Sequence, residues 1–167
     1  GVESELNIGS TFWFELPFTK GDIECKHMDL TPQADILSNK KAIVVDDSQS
    51  AREIVKKYMQ DWGLIVDCAK DAKDALQKMR AAFEAKNPYE LAVIDLAMPQ
   101  TDGFELAKEI FEDENLKNTK CILFTAFDQK GIAAEAFKIG YSAYLTKPIR
   151  QNSKSRSRWS DVLHDCA

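Results

Sequence analysis

Lys41-Ala42-Ile43-Val44-Val45-Asp46-Asp47-Ser48-Gln49-Ser50-Ala51-Arg52-Glu53-Ile54-Val55 carries the transition that decides the fold. Its opening residues are a short apolar run rich in β-branched side chains, which predicts a buried strand over Lys41 to Val45. Two carboxylates end that strand. Beyond them, Ser50 and Glu53 have the spacing of a capping box, and Ala51, Ile54, Val55, Tyr58, Met59 and Trp62 recur at helical spacing until Gly63 stops the helix. A strand that runs straight into an amphipathic helix is half of a βαβ unit.

The alternation continues downstream. Leu64 to Cys68 reads as a second strand, and Asp71 caps a helix whose buried face carries Ala75, Leu76, Met79 and Phe83, ended by Asn87-Pro88. Leu91 to Ile94 is an apolar strand that delivers Asp95, and Pro99 with Asp102-Gly103 turns the chain into a helix from about Phe104. Cys121 to Phe124 delivers Thr125. A helix over Ala133 to Ile139 is closed by Gly140, and a strand over about Ser142 to Leu145 delivers Lys147 before Pro148. Strands alternating with helices in this way predict an α/β fold with a parallel sheet.

Upstream, Thr11-Phe12-Trp13-Phe14-Glu15-Leu16 alternates apolar and polar residues and Asn7-Ile8-Gly9-Ser10 supplies a turn, so residues 1–18 read as a hairpin. Residues 19–40, with Gly21, Pro32 and no sustained period, read as a linker, and order is expected to resume at Lys40.

The bulk numbers bound the function. The 167 residues, 44% hydrophobic and 29% charged, suit one domain with an appended segment, and no apolar run is long enough to cross a bilayer. A net charge of -5 argues against a general nucleic-acid surface. The basic run Arg150, Lys154, Arg156 and Arg158 reads as a solvated segment. Cys25, Cys68, Cys121 and Cys166 show no metal-ligand spacing with one another or with His27 and His164, and with no signal peptide at Gly1 the expectation is reduced thiols in a cytoplasmic protein.

In open parallel sheets the carboxyl ends of the strands border the ligand crevice. The first, third, fourth and fifth strands therefore bring Asp46, Asp47, Asp95, Thr125 and Lys147 to one edge. Crowded carboxylates call for a cation, and an all-oxygen ligand set favours Mg²⁺, with Mn²⁺ as the alternative. A carboxylate is also a nucleophile toward phosphorus. Phosphoryl transfer then needs its equatorial oxygens neutralised, which the metal, the Lys147 ammonium and the Thr125 hydroxyl would supply.

These residues resemble the receiver domains of two-component signalling. The resemblance rests on Val44-Val45-Asp46-Asp47, Val93-Ile94-Asp95-Leu96-Ala97-Met98-Pro99, Thr101-Asp102-Gly103, Leu123-Phe124-Thr125-Ala126 and Tyr144-Leu145-Thr146-Lys147-Pro148-Ile149, and covers about two thirds of the chain. It implies a doubly wound, flavodoxin-like five-stranded sheet of order 2-1-3-4-5 with helices on both faces. It also implies Asp95 as phosphoacceptor, Asp47 as direct metal ligand, Asp46 as ligand through water, and the Ala97 carbonyl as a further ligand. Thr125 and Tyr144 match the family's switch pair.

The pattern departs from the family after Ile149, where helical spacing returns only at Trp159, Val162, Leu163 and Cys166, so the last helix starts late or packs abnormally. The amino-terminal hairpin resembles the closing strands of a histidine-kinase ATP-binding domain. The expected division is thus 1–18 hairpin, 19–40 linker and 41–167 receiver, in a fragment of a hybrid sensor kinase that does not itself bind nucleotide. Its partners would be a histidine kinase or a histidine phosphotransfer domain.

An aspartate-nucleophile phosphatase would want a second Asp where Ala97 stands, and the intact acidic set speaks against a degenerate receiver that only binds proteins. A DNA-binding output is disfavoured by the few residues after Ile149. Ala97 and Phe127 should flank the acyl phosphate, and their lack of polar groups predicts a long phosphate lifetime.

Overall fold

A computed structural model describes residues 1–6, 8–17, 37–126 and 131–148. Two sheets are present among them. The first is an antiparallel hairpin of β1 (Val2–Glu5) and β2 (Gly9–Phe12), with Val2 opposite Phe12 and Ser4 opposite Ser10. Its pairing starts earlier and stops sooner than the alternation through Leu16 suggested. Beyond Trp13, whose N–H donates to the Gly1 carbonyl at 3.0 Å, the residues have no partner strand among the described residues. Phe12, Phe14 and Leu16 are all exposed.

The second sheet has five parallel strands: β3 (Lys41–Val45), β4 (Ile65–Ala69), β5 (Leu91–Ile94), β6 (Lys120–Thr125) and β7 (Ala143–Thr146). Their order is β4-β3-β5-β6-β7, which is the predicted 2-1-3-4-5 winding. The connecting helices are α1 (Gln49–Asp61), α2 (Ala72–Glu84), α3 (Gly103–Glu112) and α4 (Ile132–Ile139). Because successive strand side chains point to opposite faces, the strands feed two cores. Ile43, Val45, Ile94 and Leu123 pack with Leu76 and Met79 of α2, Leu106 and Ile110 of α3, and Ala136 of α4. Val44, Val66, Val93, Ile122 and Phe124 pack on the other face with Val55 and Met59 of α1. Central strands of this kind, buried on both faces, are apolar at every position.

Several local readings change. The capping box at Ser50 is not formed: Ser48 is the N-cap, accepting from the Ala51 N–H at 3.4 Å, and Ser50 and Glu53 lie inside the helix. There Gln49 Nε2 donates to Glu53 Oε1 at 2.8 Å instead. Asp71 caps α2 as expected, accepting from the Asp74 N–H at 2.8 Å.

Phe83, assigned to a buried face, is 41% exposed, and Ile54, counted in the helical spacing of the first helix, is 55% exposed. At roughly 100° per residue Ile54 lies about a third of a turn from the centre of the stripe formed by Val55 and Met59. On α2, Ala82 keeps to the stripe through Ala75 and Met79, and Phe83 drifts off it.

Strand limits move by one residue at β4 and β7, and β6 extends to include Thr125. Leu37, read as linker, is 1% exposed and packs with Met59 and Leu64. Asn39 N–H then donates to the Gly63 carbonyl at 2.9 Å, fastening this entry to the α1–β4 turn. Cys68 and Cys121 are free thiols. Among the described residues no helix is long and apolar enough to cross a membrane. Phe127, the basic run 150–158 and the expected last helix lie outside the described residues.

Candidate functional site

The sheet's carboxyl edge gathers three carboxylates because β3 and β5 are neighbours that end in register, Val45 opposite Ile94. Asp46 and Asp47 leave β3 and Asp95 leaves β5, with the Asp95 N–H donating to the Val45 carbonyl at 2.8 Å. Their nearest oxygens all lie within 4.8 Å of one another. Asp46 and Asp95 are buried, at 2% and 6% exposure, while Asp47 faces solvent.

Lys147 reaches this cluster from the end of β7. Its ammonium lies 2.6 Å from Asp46 Oδ2 and 2.9 Å from Asp95 Oδ1. Asp46 Oδ1 is taken by the Ser48 N–H at 2.9 Å, so both oxygens of Asp46 are engaged.

The electrostatics follow from crowding and burial. Burial raises the Asp95 carboxyl above its ordinary range, the Lys147 ammonium pulls it down, and the Asp46 and Asp47 charges push it up again, leaving it raised. For Lys147 burial pulls the ammonium down, but hydrogen bonds to Asp46 and Asp95 outweigh that and hold it above its ordinary value. Among the described residues, the ion pairs that these three carboxylates make are those of Asp46 and Asp95 with the single Lys147 ammonium. That imbalance, with an all-oxygen donor set, fits a small hard divalent ion. The Ala97 carbonyl accepts no hydrogen bond from the described residues and is available as a further oxygen.

Thr125 ends β6 fully buried, beside Thr146 in the ladder, and its carbonyl accepts from the Lys147 N–H at 2.8 Å. Tyr144 is partly buried, opposite Leu123, and packs against the core that contains Ile94 and Leu106. Of the residues named from sequence, then, Asp46, Asp47, Asp95 and Lys147 meet directly. Thr125 lies on the adjoining strand end, and Ala97 lies two residues beyond Asp95.

Three contributors escaped the sequence reading. Arg52 Nη1 donates to the Asp46 carbonyl at 2.6 Å and to the Asp47 carbonyl at 3.0 Å. A signal for it existed, because side chains in a helix's first turn lean back toward its N-terminus and so over the preceding strand end. Gly103, read as a turn residue, packs so closely on the Asp95 loop that a Cβ there would lie 2.4 Å from the Asp95 carbonyl oxygen. Tyr141 donates from its buried hydroxyl to the Gly103 carbonyl at 2.7 Å, with its ring edge-on to Phe104 and Phe111. Nothing local in the sequence around Tyr141 points to Gly103, 38 residues away.

Comparison with known proteins agrees with this architecture. The family model for the response regulator receiver domain matches residues 42–154. The sensor kinase/phosphatase LuxQ of Vibrio vulnificus is 28% identical over 152 residues, covering 90% of this chain and 17% of that protein. The sensor histidine kinase AruS of Pseudomonas aeruginosa is 30% identical over 159 residues, covering 94% of this chain and 15% of that protein. The chain therefore spans about a sixth of the length of these sensor kinases. Among solved structures, the chemotaxis protein CheY4 of Vibrio cholerae superposes with a TM-score of 0.64 at 27% identity, covering 75% of this chain and 99% of that one. With the family match spanning most of the five-stranded unit and the strand order and acidic edge in agreement, the chain belongs to the response regulator receiver domain family of two-component systems.

Proposed function

We propose that Asp95 is the phosphoacceptor of this receiver and takes its phosphoryl group from a phosphohistidine. The observation that carries the reading is the convergence of Asp46, Asp47, Asp95 and Lys147 at one strand edge. A lone pair of the Asp95 carboxylate forms the new O–P bond, the P–N bond to the donor imidazole breaks, and the imidazole leaves with the bonding pair. Asp47, Asp46, Asp95 and the Ala97 carbonyl would hold Mg²⁺, which supplies charge neutralisation for the transferring group. Lys147 would move from the carboxylates to a phosphoryl oxygen, and the Thr125 hydroxyl would take another. Thr125 with Tyr144 would then report the phosphorylated state to a partner.

The test is incubation with acetyl phosphate and Mg²⁺ followed by intact mass. One added phosphoryl group is expected, and chelation by EDTA should remove the gain entirely. Equal labelling with and without chelator would refute the metal assignment.

We also propose that the phosphate is long-lived. The exposed Ala97 methyl offers no hydrogen bond with which to orient a hydrolytic water. Ala97→Asn should shorten the acyl phosphate's lifetime severalfold when decay is followed after donor removal. An unchanged decay rate would mean that this position does not set the lifetime.

The wider context is a hybrid sensor kinase, with residues 1–18 as the last hairpin of an ATP-binding domain, 19–40 as linker and 41–167 as receiver. The supporting observation is that matches covering 90% and 94% of the chain are too long to be confined to residues 41–167. A histidine kinase or histidine phosphotransfer domain is the partner class this reading implies, in the cytoplasm.

A further inference from the structure

We infer that Arg52 is a positioning residue for cation binding at the acidic edge: by holding the Asp46 and Asp47 carbonyls it sets the direction of the Asp47 carboxylate. The inference rests on the reading of this edge as a divalent-cation site. It turns on how unequally the three carboxylates are held.

Asp46 is fixed at both carboxylate oxygens, by the Ser48 N–H at 2.9 Å and by Lys147 at 2.6 Å. Asp95 is fixed by its backbone bond to Val45 and by its ion pair with Lys147. Asp47 has neither support. Its carboxylate accepts no hydrogen bond from the described residues, and it lies between the last residue of β3 and the N-cap of α1, outside both hydrogen-bond ladders. Among the described residues, the hydrogen bond that Asp47 makes is the one from Arg52 Nη1 to its carbonyl, at 3.0 Å. The same nitrogen holds the Asp46 carbonyl at 2.6 Å. Two consecutive peptide planes are thereby pinned to α1, and the Cα–Cβ direction of Asp47 is pinned with them.

Charge and position predict opposite signs. As a cation beside three carboxylates, Arg52 opposes a second cation, so its removal on Coulombic grounds alone would tighten metal binding. As the support of a ligand's backbone, its removal should weaken binding by about tenfold, the lower end of what is lost when groups that orient metal ligands are deleted.

The experiment is calorimetric titration with MgCl₂, without phosphodonor, of the parent, Arg52→Ala, Arg52→Met, Asp47→Ala and the Arg52→Ala/Asp47→Ala double variant. Arg52→Met retains the unbranched stem and carries the comparison if the alanine variant is poorly folded by circular dichroism. The expected result is a Mg²⁺ Kd raised about tenfold by loss of Arg52, with little further loss when Asp47 is already absent. Binding by Arg52→Met as tight as the parent's or tighter overturns the proposal, as does full additivity with Asp47→Ala. A parent that binds no Mg²⁺ overturns instead the cation-site reading, and this proposal with it.

Discussion

Asp95→Asn is expected to abolish phosphoryl incorporation from acetyl phosphate while leaving the fold intact. The three carboxylates are not equivalent as nucleophiles. Asp46 has both oxygens committed, to the Ser48 N–H and to Lys147. Asp47 stands in solvent on the connecting turn. Asp95 sits at the end of the central strand with Oδ1 paired to Lys147, which leaves its other oxygen to form the bond to phosphorus. An asparagine keeps the shape and places a carbonyl oxygen or an amide nitrogen there, and neither is a nucleophile of carboxylate strength. It also removes a charge whose protonated form burial already favours, so no loss of stability is expected from that source. The measurement is intact mass after donor treatment, with thermal melting as the control on folding. Parent-level labelling of a folded Asp95→Asn would show that phosphate goes to another residue.

Gly103→Ala should destabilise the domain by about 2–3 kcal/mol and reduce phosphorylation, because overpacking a close backbone contact is costly. The added Cβ would fall 2.4 Å from the Asp95 carbonyl oxygen and 3.1 Å from the Leu96 Cα. Both neighbours are backbone, so no side chain can swing aside. Helix α3 cannot easily retreat either. Its first N–H donates to the Leu96 carbonyl at 3.0 Å, its first carbonyl is held by the Tyr141 hydroxyl, and Leu106 and Ile110 are fully buried behind it. The strain therefore falls on the segment that aims the Asp95 carboxylate. Urea denaturation and the initial rate of labelling are the readouts. A variant with the parent's midpoint and rate would mean that the loop and helix part at little cost, and that Gly103 has no part in aiming Asp95.

Much of this was legible in the chain. Runs such as Ile43-Val44-Val45 and Leu91-Ala92-Val93-Ile94 allow little but a strand covered on both faces, and in parallel sheets those strands send their ends to a common edge. That is why Asp46, Asp47, Asp95 and Lys147 could be named together before any distance was known. The misreadings were local. Ser50 and Ser48 both offer a capping oxygen, and the choice depends on where β3 releases the chain. Phe83 is apolar, yet its place on the helix turns it away from the sheet.

The sequence by itself determined the order of strands and helices and the chemical types gathered at the sheet edge, since both follow from hydrophobic period and from the short-range rules of strand and helix ends. Only the tertiary structure decided which groups aim that edge. The hold of Arg52 on two carbonyls, the contact of Gly103 with the Asp95 loop and the reach of Tyr141 across 38 residues depend on how elements distant in sequence pack. The physical reason is one of range: periodicity records which face of an element is apolar, whereas a hydrogen bond or a 2.4 Å approach is fixed by the summed positions of all the elements between the two partners.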